Sequence, residues 1–192
     1  MSAIAAAEPP AAALDAAAAG LAERLARVTV EVRRRGRGGA VGSGVIWHPD
    51  GLILTNAHVA RGDVAVALWD GRVLAARLVA RDVRRDLAAL VVSDAGLPAA
   101  EIGDSGGLRV GELVVAVGNP LGLVRALTAG LVHATDRRLI QADLRLAPGN
   151  SGGPLADARG RVVGLNAMIV GSLAVAVPSR AARRFVQEQL PG

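Results

Sequence analysis

The first periodic signal along the chain is helical. Between Ala12 and Arg27 the apolar residues Leu14, Leu21 and Leu25, followed by Val28, fall on one face of a helix. From there the spacing changes to the short apolar runs of strands. Six such runs come first, at 28–34, 40–47, 52–55, 64–69, 73–81 and 87–92. Turn residues separate them: Arg37-Gly38-Gly39, His48-Pro49-Asp50-Gly51, Arg61-Gly62-Asp63 and Asp70-Gly71. A Gly/Pro/Ser-rich connector spans 93–111. Six more runs follow, at 112–117, 125–134, 138–142, 154–156, 161–168 and 172–177. The spacing predicts a closing helix over Ala181–Leu190, with Ser179 as its N-cap.

Many short strands with regular turns point to an all-β fold, and closure into barrels removes the exposed edges an open sheet would carry. Six strands on each side of a connector predict two barrels. The expected division is a tail and helix at 1–27, a first barrel at 28–110, a second at 111–178 and a C-terminal helix at 179–192. Residues 1–11 read as loosely attached. The helix at 12–27 either packs on the body or serves as an oligomerisation segment.

Composition changes the picture little. Apolar residues make up 52% of the chain, so a core is available. Aromatics are nearly absent, so that core is built from Ala, Val and Leu. With no cysteine, disulfides and thiolate metal sites are excluded. The net charge is +5 and every basic residue is arginine. The dense cluster Arg33-Arg34-Arg35-Gly36-Arg37 sits between two strand-like runs and has no aromatic neighbour to stack on a base. It reads as a solvated hairpin, and no nucleic-acid partner is expected. No apolar stretch approaches the ~20 residues that span a bilayer. Met1–Gly20 lacks the basic start of a secretory leader and carries Glu8, Pro9, Pro10 and Asp15. The expectation is a cytoplasmic chain, unless a leader was trimmed.

Chemistry concentrates in three places. Pro148-Gly149-Asn150-Ser151-Gly152-Gly153-Pro154 surrounds a serine with glycines, which leave it sterically open. Such a loop is by itself only a turn. With suitable partners, Gly149, Asn150 and Ser151 form an oxyanion hole in which the Gly149 and Ser151 N–H groups are the donors. His58 follows the apolar run Leu52-Ile53-Leu54 and is the candidate general base. His48 and His133 compete for that role but read as surface or structural residues. Asp86 opens the apolar run Leu87–Val92 and is the candidate to orient His58. Three scattered histidines without a His-Glu-x-x-His spacing give no catalytic zinc site, and neither metal nor cofactor is expected. The order His, Asp, Ser is that of trypsin-like double barrels, and differs from the subtilisin and α/β-hydrolase orders.

These residues lie in blocks that resemble the HtrA/Deg (high-temperature-requirement) branch of the trypsin-like serine peptidases. The blocks are Gly42-Ser43-Gly44-Val45-Ile46, Leu54-Thr55-Asn56-Ala57-His58-Val59 and Asp86-Leu87-Ala88-Ala89-Leu90. They continue with Val117-Gly118-Asn119-Pro120-Leu121-Gly122, Thr128-Ala129-Gly130-Leu131-Val132 and Gln141-Ala142-Asp143. Gly149–Leu155 and Ala174–Ser179 complete the set. The resemblance implies a trypsin-like double six-stranded β-barrel, with His58, Asp86 and Ser151 as a triad in the cleft between barrels. No PDZ domain follows within this sequence, the loops are short, and the N-terminal aromatics that help trimers of the family associate are missing.

The implied activity is endopeptidase cleavage of unfolded or extended polypeptides. The alternative is a silent or latent barrel acting as a binding or chaperone-like module. Two further alternatives are an esterase-like hydrolase using the same triad and nucleic-acid binding through the arginine cluster. In this fold resemblance Ala167-Met168-Ile169 pairs with substrate, and the specificity pocket is lined by Leu144-Arg145-Leu146 and by Met168–Val170. The aliphatic walls favour a small or medium apolar residue, with Arg145 pointing outward. Asn150 stands where digestive relatives carry an aspartate that binds a new N-terminus, so proteolytic maturation is not expected. The loops Gly118–Leu123 and Pro148–Ser151 then decide whether the hole is formed.

Overall fold

The computed structural model describes residues 10–35, 40–118 and 126–190. The expectations for residues 1–9, for Gly36–Gly39 and for Asn119-Pro120-Leu121-Gly122 fall outside the described residues, as does most of the Gly118–Leu123 loop.

Helix α1 (Pro10–Val28) leads into β1 (Thr29–Arg34), β2 (Ala40–His48), β3 (Leu52–Thr55), β4 (Val64–Ala67), β5 (Val73–Asp82) and β6 (Leu87–Val92). These close into an antiparallel barrel of order β1-β2-β3-β6-β5-β4. After the connector come β7 (Leu113–Gly118), β8 (Ala126–Thr135), β9 (Ile140–Asp143), β10 (Pro154–Asp157), β11 (Val162–Val170) and β12 (Leu173–Pro178). They close as β10-β11-β12-β9-β8-β7, and α2 (Ser179–Gln189) follows. The molecule is therefore a double six-stranded β-barrel with a helix at each end.

Small and β-branched side chains fill the barrels, as a tightly curved sheet requires. Val30, Val32, Ile46, Ile53, Val66 and Leu90 fill the first, and Val114, Ala116, Ile140, Leu155 and Ala176 fill the second. A third cluster joins the two: Leu25 of α1, Leu54 and Leu87 of the first barrel, Leu165 of the second and Phe185 of α2. This shared core fixes the seam over which the candidate site is built.

Two local expectations are corrected. The first concerns α1, where Leu21 and Leu25 are buried but Leu14 is 69% exposed. The helix docks by its second half, and Ala11–Ala19 project beyond the barrel surface. The second concerns Ser179, which does not cap α2. Pro178 occupies the N-cap without a side-chain bond. Ser179 Oγ is buried and donates to the Gly103 carbonyl at 2.8 Å while accepting the Ser105 N–H at 3.2 Å. It thereby ties α2 to the connector, whose 3-10 turn spans Ser105–Gly107.

Candidate active site

The site begins at the end of β3. Thr55 and Asn56 are fully buried, and the chain turns there to present His58. His58 Nδ1 lies 2.8 Å from Asp86 Oδ2 and 3.0 Å from Oδ1, and the His58 backbone N–H donates to Asp86 Oδ1 at 3.1 Å. One carboxylate thus holds both the ring and the backbone of the histidine. A carboxylate beside Nδ1 favours the tautomer with its proton there, which leaves the Nε2 lone pair free. The side chains are 40% and 22% exposed, so the pair sits at the surface rather than in the core.

Asp86 reaches this position through an unusual backbone. Its φ is +54°, in the left-handed region, which aspartate tolerates better than most residues. The Asn56 amide nitrogen donates to the Asp86 carbonyl at 3.0 Å and holds that conformation. Asn56 thus connects the strand that carries the histidine to the turn that carries the carboxylate.

The second barrel contributes the serine loop. Asn150 N–H donates to the Ala147 carbonyl at 3.0 Å, closing a turn with Pro148 and Gly149 at its centre. Gly149 has φ +107°, which a type II turn requires at that position and which glycine supplies without strain. Asn150 was expected to line the oxyanion hole. Its N–H is bound to the Ala147 carbonyl and the residue is buried. Among the described residues, no hydrogen bond from the Gly149 or Ser151 N–H group is found.

The loop is fastened to the first barrel by Ser43. Ser43 N–H donates to the Ser151 carbonyl at 2.7 Å, and Ser43 Oγ donates to the Gly149 carbonyl, also at 2.7 Å. Thr55 Oγ1 in turn donates to the Ser43 carbonyl at 2.7 Å. Gly152, at φ +84°, lies so close to the Ser43 carbonyl and Thr55 Oγ1 that a Cβ there would overlap both. Ser151 is therefore linked to the histidine-bearing strand through Ser43 and Thr55. Its hydroxyl donates to the Ala167 carbonyl at 3.0 Å, and among the described residues it makes no hydrogen bond to His58.

Beside the serine, β11 pairs with β10 only as far as Leu165, whereas Met168, Ile169 and Val170 pair with β12 alone. Those three residues are 52%, 50% and 54% exposed, and Ala167 is buried at the register shift before them. Leu144 is buried, Leu146 is half-buried and Arg145 is exposed. His48 and His133 are both on the surface. Sequence reading passed over Ser43 and Asn56 as individual residues. Both are polar residues in or beside apolar strands, and that was the available signal.

Residues 42–165 match the trypsin-like peptidase domain. A protein of Halomonas elongata named probable periplasmic serine endoprotease DegP-like is 44% identical over 140 residues, which cover 68% of this chain and 30% of the relative. A protein of the same name from Hahella chejuensis is 46% identical over 149 residues, 71% of this chain and 32% of that one. The chain thus spans about a third of the length of these curated relatives. Among solved structures, the HtrA-type protease AlgW with decapeptide superposes with a TM-score of 0.84 at 30% identity, covering 90% of this chain and 67% of AlgW. The relatives' names also overturn the cytoplasmic expectation, since both are named as probable periplasmic proteases. Among the described residues, no helix is long and apolar enough to cross a membrane.

Proposed function

Because the chain belongs to the trypsin-like peptidase domain family and is built as the HtrA-type proteases are, we propose that it is a periplasmic serine endopeptidase acting through Ser151, His58 and Asp86. The observation that carries this reading is the His58 Nδ1–Asp86 carboxylate pair on one barrel and, tied to the histidine-bearing strand through Ser43 and Thr55, the Ser151 loop of the other. In this reading the residues from both units, 28–110 and 111–178, meet at the seam.

Ser151 Oγ attacks the scissile carbonyl carbon while His58 Nε2 takes the hydroxyl proton. Gly149 N–H and Ser151 N–H hold the oxyanion. As the intermediate collapses, the imidazolium returns the proton to the departing amine and an acyl-serine remains. Water, deprotonated by His58, then releases the acid. Asp86 stabilises the imidazolium.

The substrate is an extended or unfolded polypeptide that pairs with the half of β11 that β10 leaves open, at Ala167–Ile169. The residue before the cut meets Leu144, Leu146 and Met168–Val170, which favours a small or medium apolar side chain. Arg145 points to solvent and takes no part. Self-association runs through the exposed first half of α1. No new N-terminus is needed to order the loop, because Asn150 carries no charge.

A second reading, a silent barrel that binds extended chains, is favoured by one observation: the Ser151 hydroxyl engages Ala167 rather than His58. A fluorophosphonate separates the two. The endopeptidase reading expects a stoichiometric adduct on the peptide containing Ser151 and none in His58→Ala. An unlabelled Ser151 in folded wild type, or equal labelling at the exposed Ser172, supports the silent barrel.

A further inference from the structure

We propose that the cleft between the β5–β6 turn, the β8–β9 turn and the start of α2 is a binding site for a compact group bearing several phosphates. The cleft has a volume of about 1020 Å³ and is lined by Arg84, Arg85, Arg137, Arg138, Arg180 and Arg184. Asp136 is the sole acid on its walls. Asp82, Glu188 and Asp104 pair with Arg85 and Arg180 from outside the lining, and the four remaining arginines leave the cleft basic.

What distinguishes these arginines is that six of them, from three separate segments, line one cleft. In the cleft Arg85, paired with Asp82 and Glu188, and Arg180, paired with Asp104, are neutralised. The side chains of Arg84, Arg137, Arg138 and Arg184 have no ion pair among the described residues. Asp136, whose Oδ1 accepts the backbone N–H groups of Arg138 and Leu139, is one carboxylate among these four arginines. Like charges drawn from three separate segments repel one another, and a polyanion between them removes that repulsion.

The chemistry of the walls selects the ligand. Guanidinium groups only donate, and their planar fork matches phosphate oxygens. A phosphate chain needs donors alone, whereas a peptide also brings N–H groups that need acceptors. The side chains of the cleft offer few: Thr135, the engaged Asp136 and Ser105, whose hydroxyl already accepts the Arg180 N–H. The cleft approaches the proposed triad only through Arg84 and Arg85, which precede Asp86, and its ligand does not depend on peptide cleavage.

The test is calorimetric titration of the full chain with inorganic tripolyphosphate at about 0.15 M ionic strength. Saturable one-to-one binding is expected. It weakens roughly tenfold or more in the double variant Arg138→Ala/Arg184→Ala. It is unchanged in Arg34→Ala/Arg159→Ala, which removes the same charge far from the cleft. All of these side chains are exposed, and unchanged melting curves without ligand check that the variants fold. Equal affinity for ATP assigns the phosphate chain as the determinant, and tighter ATP binding assigns a nucleotide; both support the site. Absence of saturable binding, equal loss in both double variants, or tighter binding of an oligoglutamate peptide would each overturn it.

Discussion

Arg81 donates two hydrogen bonds from its guanidinium to one acceptor, the carbonyl oxygen of Ala57, at 2.9 Å from Nη2 and 3.1 Å from Nε. Ala57 precedes the proposed base, and Arg81 pairs across the sheet with Ala88, two residues after Asp86. The guanidinium therefore braces the histidine turn against the strand that leads out of the aspartate. Arg81→Met keeps the aliphatic stem and removes the brace. Turnover is expected to fall roughly tenfold with KM little changed, because only the positioning of His58 is loosened. Arg77→Met, exposed on the same strand, is the control and leaves both constants unchanged. A rise in KM at constant kcat would assign Arg81 to substrate binding instead.

Ser43 is the clasp of the Ser151 loop, proposed above to hold the oxyanion, and its removal has a separate signature. Ser43→Ala loses the bond to the Gly149 carbonyl while its backbone N–H still holds the Ser151 carbonyl. Loss of one such bond costs stability about 1 kcal/mol. Turnover falls further than that cost implies, approaching the roughly 10²-fold seen when an oxyanion donor is lost. Steady-state kinetics beside a urea melt distinguishes the two effects.

The architecture was legible where the physics is local. Period-two runs such as Val30 and Val32 of β1 or Val114 and Ala116 of β7 lie in the barrel cores. Strand ends were less legible, because cross-strand partners set them. The run at 64–69 stops at Ala67 since Leu68 N–H turns to the Arg72 carbonyl. Leu14 shares a helical face with Leu21 and Leu25, yet no barrel surface extends far enough to cover it. His58, Asp86 and Ser151 stood out by residue type and order. Their supports did not, because Arg81, Ser43 and Asn56 act on residues 24, 106 and 30 positions away. The arginine cleft has the same character: its pairs are scattered along the chain and meet only in the fold.

The connector and α2 are joined by an ion pair whose pH dependence has a defined sign. Arg180 bonds the Asp104 carboxylate and, with the Gly106 N–H, holds it below its ordinary value of 3.8. A lowered carboxylate contributes stability above its unfolded value and loses it as pH falls through the lower folded value. The wild type is therefore expected to melt above Asp104→Asn at neutral pH, with the difference closing as pH drops below 3.8. Melting temperatures between neutral and strongly acidic pH measure it, and a difference that widens in acid would contradict the sign.

Phe185 is the buried aromatic that anchors α2 to both barrels, with no exposed surface. Phe185→Ala leaves a cavity in the shared core and is expected to cost about 3–5 kcal/mol. Equilibrium urea denaturation gives the value. Because that core underlies the seam, cleavage activity should be lost at a lower denaturant concentration in the variant.

The central claim is that Ser151 is a nucleophile in a working peptidase. Its most direct test is cleavage of unfolded casein by the wild type beside Ser151→Ala, followed by electrophoresis and by mass analysis of the product ends. Fragments are expected from the wild type alone, cut after small or medium apolar residues, with a loss on the order of 10⁶ in turnover for the variant. An intact substrate with both proteins, or identical fragments from both, would contradict the account.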